Sequence, residues 1–478
     1  MFKKISELPT RYEPLITTFG ETAKTTFVRQ DHDLEVIKKL ASRIESSKQS
    51  KLMFVLAPSG TGKTTFIHSL EVFLADKISS VKRLPPDSEL PVDKIPDYLM
   101  KIKRDNSIKV INFDGREAPF FNQDQYQTFL GRLNSIIRTR NDLLLLWPVN
   151  DENFAKKLVD IMYVVGGKSP FGSEPIYNLK GLDQREYVGV LDRIMQIGNW
   201  KLEDAAISRE EVEEIANNSI RVGDFLDDVQ ALITERFDTS DLGVQFPEVV
   251  FVLSSGITNI REICRNVRRA DSYYLEASRL LMYTKRSNVA EWWQERNKNL
   301  RTALPFVISL FNAQLLSLSG SSVVHAMLNY GPLDIKAQIT GVQANIGNAK
   351  RVITSSELYK YSILSEVDNR EYGSSVKQET VDAYSFIQSL SKTRHKEINS
   401  AVMQLLIEAN GGFSNVQYEV PQGKGLIVDA VCLRKEDGKK INLEFHHKSA
   451  KETKNNEIAI YILEKLKEYS INYGLAKP

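Results

Sequence analysis

Cysteine is nearly absent from this 478-residue chain, and its two thiols, Cys264 and Cys432, stand far apart. They supply neither a cysteine zinc site nor a disulfide framework, and a reducing, cytoplasmic location is expected. Net charge is scarce too: 63 Lys and Arg against 61 Asp and Glu leave +2. Any grip on nucleic acid must therefore come from local patches. Long apolar runs are also missing. The most apolar stretch, Ala303 to Leu318, carries Pro305, Asn312 and Gln314 and is shorter than a bilayer span. It reads as a buried core helix, so no membrane partner is expected. The first residues lack the apolar core of a secretory signal. What is present, 42% hydrophobic and 26% charged residues, is ordinary for a soluble chain of about two to four domains.

The informative stretch is Leu52-Met53-Phe54-Val55-Leu56-Ala57-Pro58-Ser59-Gly60-Thr61-Gly62-Lys63-Thr64-Thr65. An apolar strand runs into a small-residue loop, and a helical pattern with Phe66, Ile67, Leu70, Phe73 and Leu74 on one side follows at once. That is the context a phosphate-binding loop requires. Gly60 and Gly62 let backbone N–H groups curl around an anion, and the helix start adds unpaired N–H groups and its positive dipole end. Ser59, Thr61 and Thr65 complete the cradle. Lys63 is placed to reach the β- and γ-phosphates, and the Thr64 hydroxyl to hold a bridging Mg²⁺. Ala57 stands where the usual pattern opens with Gly. A nucleoside triphosphate, ATP, is the expected ligand.

Further apolar strands are read at Ile108–Phe113, Leu143–Trp147 and Ile176–Leu179, with a helix from Gln123 to Arg140 between the first two. Such strands separated by helices imply a parallel sheet covered on both faces. An ATPase of this kind needs an acid at a strand end to order Mg²⁺ and polarise water. Two assignments are open. In the favoured one Asp114 binds the metal, Glu117 is the base and Asn150 is a polar sensor. In the other, Asp151 and Glu152 supply the acids. The helix Asp33–Ile44, introduced by Phe27-Val28-Arg29, resembles the lead-in of AAA+ and related STAND signalling ATPases, where it helps wall the adenine pocket. The helices after residue 183 resemble an AAA+ lid, which implies an arginine at the γ-phosphate; Arg221 is the candidate.

Residues 236–390 read as mostly helical. Arg261, Arg265, Arg268 and Arg269 form a stripe on one helix face, suited to phosphates or to a salt-bridged surface. Gly331–Lys350 and Glu366–Thr380 read as loops.

From residue 391 the pattern is helix, three strands and helix: His395–Asn410, Val416–Val420, Leu426–Leu433, Ile441–Lys448 and Glu457–Tyr469. Asp429 on the second strand and Glu444 on the third can converge on one Mg²⁺, or Mn²⁺, whose bound water would attack a phosphodiester. This arrangement resembles the PD-(D/E)xK nuclease fold. The family's lysine, two residues after the glutamate, is here His446. Strand alternation puts Glu444, His446 and Lys448 on one face, so either His446 or Lys448 could serve. Glu397 could add a metal contact, as the resemblance implies.

The expectation is an α/β chain with a P-loop ATPase core over 1–182, a helical lid over 183–235, a helical middle region over 236–390 and a small PD-(D/E)xK-like domain over 391–478. The pairing resembles bacterial antiphage and restriction-type effectors. It implies an ATPase whose nucleotide state controls a metal-dependent DNA endonuclease, acting as a homo-oligomer or with a partner subunit. The rivals are an ATP-driven scaffold that only grips nucleic acid or a partner, and a non-hydrolysing switch.

Overall fold

Alternating burial along three continuous apolar segments explains the first sheet. On β1 (Lys51–Leu56), β3 (Ile108–Asn112) and β4 (Leu143–Val149), Leu52, Phe54, Ile111, Leu145 and Trp147 point into one core. Met53, Val55, Val110, Leu144 and Leu146 point into another. Helices Gln123–Thr139 and Glu152–Gly166 cover the first face, Asp31–Ser47 and Lys63–Phe73 the second. With β2 (Ile78–Arg83) and β5 (Ile176–Asn178), the order is β2-β3-β4-β1-β5, all parallel. Each buried core side chain contributes about 1.5–3 kcal/mol, so both faces hold the sheet. The structure, a computed structural model, describes residues 5–104, 107–119, 121–172, 174–243, 245–257, 259–367, 377–423 and 425–477.

The chain divides into two compact units. One comprises residues 8–198 and 209–232 and contains the parallel sheet. The other comprises 1–7, 199–208 and 233–478. Its five-stranded sheet runs β7-β6-β10-β9-β8, from β6 (Glu248–Ser255), β7 (Gln314–Ser319), β8 (Phe413–Gly423), β9 (Leu426–Arg434) and β10 (Lys440–Lys448). β6 lies parallel to both β7 and β10, whereas β9 is antiparallel to β10 and β8. Val250, Val252, Leu443 and Phe445 pack under helices Gly320–Tyr330 and His395–Glu408. Val249, Phe251 and Leu253 pack under Asn455–Asn472 on the other face.

Several expectations are corrected here. Segment 236–390 is not a helical region of its own, because β6 and β7 join the sheet of the C-terminal strands. The stretch Ala303–Leu318 is a short helix, Leu304–Leu310, followed by β7. β2 was not among the strands read from the sequence. The loop expected over 331–350 holds the helix Leu333–Lys336 and the start of Ile346–Thr354. Of the loop expected over 366–380, residues 368–376 lie outside the described residues, as does Lys424 in the turn after β8. No helix among the described residues is long and apolar enough to cross a membrane.

Candidate functional site

Two clusters of candidate side chains emerge, one in each unit. In the first, β1 ends in a loop whose Gly60 (φ 82°) and Gly62 (φ 93°) take left-handed backbone, a region side chains other than glycine rarely enter. Gly62 caps the helix Lys63–Phe73. Lys63 is buried, and its Nζ donates to the Ala57 carbonyl (2.8 Å), the Pro58 carbonyl (3.1 Å) and Asn150 Oδ1 (2.6 Å). Burial lowers its pKa, opposed by Glu117 and Asp114. Asn150, just past β4, donates in turn to Glu117 Oε2 at 2.7 Å. Asp114, just past β3, is buried and pairs with Arg83 Nε at 2.9 Å. Arg83 also meets Glu13 at 3.1 Å.

The expected residues thus gather at the carboxyl ends of neighbouring strands, where open α/β sheets hold ligands. Asp151 and Glu152 are spent otherwise. Asp151 caps its helix by accepting from Phe154 N at 2.6 Å, and Glu152 pairs with Lys156 one turn on. Arg221 reaches the loop, its Nη1 donating to the Ser59 carbonyl at 3.2 Å, while Gly223 N donates to the Gly60 carbonyl at 2.9 Å. Thr61 Oγ1 donates to the Pro58 carbonyl. A cavity lies against Ser59, Gly60, Gly62, Lys63, Thr64 and Thr65. Tyr12, Phe27, Val28, Ile194 and Leu226 also line it.

The second cluster stands where β9 and β10 part. Their pairing ends at Ala430 opposite Leu443. One step on, the Asp429 carboxylate accepts from Phe445 N at 2.7 Å in place of a ladder partner. Glu444 is 1% exposed; its Oε1 accepts from the Tyr469 hydroxyl at 2.8 Å and its Oε2 lies 3.7 Å from Lys465 Nζ. Burial pushes the Asp429 carboxyl up to about 6 and the Glu444 carboxyl up to about 8, each raised further by neighbouring carboxylates. His446 stacks on Tyr461, ring centroids 3.7 Å apart, and burial pulls its imidazole down to about 3. Its Nε2 is buried without a partner among the described residues. Lys448 is close enough to His446 to oppose its protonation.

Lys465 was not singled out from the sequence. Tyr461, Lys465 and Tyr469 recur every four residues on the closing helix, a spacing that puts them on one face, and that face covers Glu444. Glu397 instead pairs with Arg394 at 2.7 Å. The four arginines do not share a helix face, because the helix Ile260–Arg265 ends before Arg268, and they are largely internal: Arg268 forms a buried pair with Glu357 (2.6 Å) and Arg269 with Asp204 (2.6 Å). Arg261 lies 3.5 Å from Glu357.

No cluster of three or more His, Cys, Asp and Glu side chains suited to a metal occurs among the described residues. Two carboxylates suffice for Mg²⁺, which binds few protein oxygens and keeps its waters. Asp429, half-buried on β9, and Glu444, buried on the adjacent β10, are two carboxylates of this kind. No protein-family model matches the chain, and no curated protein matches it in sequence.

Proposed function

We propose that the chain binds and hydrolyses ATP at the loop 57–65, and that nucleotide state controls a metal-dependent DNA endonuclease centred on Asp429 and Glu444. The observation that carries the nucleotide half is the chain of contacts Lys63–Asn150–Glu117 beside two left-handed glycines at the mouth of a cavity. It favours a P-loop ATPase core. Backbone N–H groups of the loop cradle the phosphates and Lys63 neutralises their charge. Thr64 and Asp114 would hold Mg²⁺. Glu117, oriented by the Asn150 amide, accepts the proton of the attacking water, and Arg221 completes the charge around the γ-phosphate.

At the second centre Asp429 and Glu444 would hold a divalent cation, which supplies an activated water and a polarised phosphodiester. Lys465 brings the ammonium that the sequence lacks two residues after Glu444. It stabilises charge on the scissile phosphate, while Tyr461 fixes the His446 ring. The chain would act in the cytoplasm, in defence against phage or in restriction, assembled with itself or a partner subunit.

ATP binding and turnover with Mg²⁺, compared between the wild type and Lys63→Ala, test the first half. At least a tenfold loss of affinity is expected, and equal binding removes the nucleotide site. Cleavage of single- and double-stranded DNA with Mg²⁺ or Mn²⁺ tests the second half, with Glu444→Ala inactive. A variant that still cuts removes the nuclease. A second reading, a scaffold that grips DNA or a partner without cutting, is favoured by the prior engagement of Glu444 with Tyr469 and Lys465. ATP turnover with no cleavage under either metal supports it.

A further inference from the structure

Gln30 precedes the helix Asp31–Ser47, yet its side chain makes no capping hydrogen bond. Its Oε1 is shielded from solvent and has no hydrogen-bond partner among the described residues. Buried acceptors in folded proteins are nearly always paired, and leaving one unmade is costly. A position that keeps one open is matched to a ligand donor. Gln30 lines the same cavity as Gly62, Lys63 and Thr64, with the apolar Leu15, Phe27, Val28, Ile194 and Leu226 around it.

Several other polar groups there are already engaged. Thr26 Oγ1 donates to the Ala23 carbonyl at 2.7 Å, and the Phe27 carbonyl accepts from Arg193 Nη1 at 2.7 Å. Arg11, also on the cavity, pairs with Asp227. The Tyr12 ring lies stacked on His68, centroids 4.3 Å apart. A cavity with apolar side chains and an open amide oxygen on its lining, continuous with a glycine-bearing loop and Lys63, matches a purine attached to its phosphates.

We infer that Gln30 reads the base of the bound nucleotide and selects adenine. Its Oε1 accepts from the 6-amino group while its Nε2 donates to N7, the two-bond pairing a glutamine amide makes with adenine. Guanine carries two acceptors, O6 and N7, on that edge and would leave Oε1 unpaired. The inference rests on the nucleotide reading above and deepens it.

The test is a competition assay on the full chain against a fluorescent ATP, using ATP, GTP, 7-deaza-ATP and purine riboside 5′-triphosphate, which lacks the amino group. Wild-type protein is expected to prefer ATP over each of the other three by about tenfold. Gln30→Ala, and the near-isosteric Gln30→Leu, should bind ATP and the purine riboside analogue alike. Equal binding of all four by the wild type, or a preference unchanged in both variants, overturns the assignment. Failure of the wild type to bind any of them removes the nucleotide reading itself, and with it this one.

Discussion

Glu444→Gln separates a buried acid that is protonated at neutral pH from one that is merely covered. Burial pushes this carboxyl up to about 8 from an ordinary 4.5, with Asp429 adding to the rise. The folded chain therefore holds the proton more tightly than the unfolded one. The stability tied to this group is fully present below about pH 4.5 and is lost as pH rises through about 8. At about 1.4 kcal/mol per decade of pH, the folded state loses roughly 3–4 kcal/mol between about pH 5 and pH 8.5. Asp429, raised to about 6, adds a loss of the same sign in a lower window. Glutamine keeps an oxygen for the Tyr469 hydroxyl, and Lys465 keeps Glu468 at 3.0 Å. The variant should therefore shed most of the upper slope without losing its packing. Denaturant unfolding in EDTA across this range, followed by tryptophan fluorescence, measures the slope. Trp200, Trp292 and Trp293 lie in the unit that carries Glu444, whereas Trp147 lies in the other. Wild-type and variant curves that run parallel across the range would refute the reasoning.

Two further outcomes follow from neighbouring geometry. Mg²⁺ or Mn²⁺ should raise the melting temperature more at about pH 8 than at about pH 6, because cation and protons compete for the same carboxylates; Glu444→Gln should abolish the increment, and an equal increment in the variant counts against the site. Glu357→Ala should cost about 3–5 kcal/mol, because it strands the buried Arg268 guanidinium and removes the acceptor of Ser317 N; a loss below about 1 kcal/mol in urea titration would show that the pair relaxes into solvent.

Much of the parallel-sheet unit was legible because its signals are local. β1, β3 and β4 are uninterrupted apolar runs, and the loop after β1 carries its glycines at the turn itself. The two acid assignments could not be told apart in the sequence, because their difference lies in which partners each acid meets. Asp114 lies beyond a strand two places from β1, and the helix-capping role of Asp151 is a three-residue pattern that sequence alone leaves undecided. β6 was missed although Val249-Val250-Phe251-Val252-Leu253 is a β-branched and aromatic run of ordinary strand length. Its neighbours read as helix, and nothing local announces that its partner is β10, almost two hundred residues on. β7 was hidden because helix and strand follow one another inside a single apolar stretch, where periodicity gives no boundary.

The arginine stripe and the closing helix show the same limit from opposite sides. Arg261, Arg265 and Arg268 have the spacing of one helix face, but the helix ends at Arg265, and spacing fixes neither where a helix stops nor what the stripe meets. Glu357 and Asp204, distant in sequence, meet it and turn it inward. Lys465 sits among apolar residues that read as core, and its meaning depends on Glu444 lying beneath it. A missing lysine in a strand motif is therefore weak ground for reading a site as inert. The test is whether any ammonium reaches the carboxylate pair in space, and here one does from the next element of the chain.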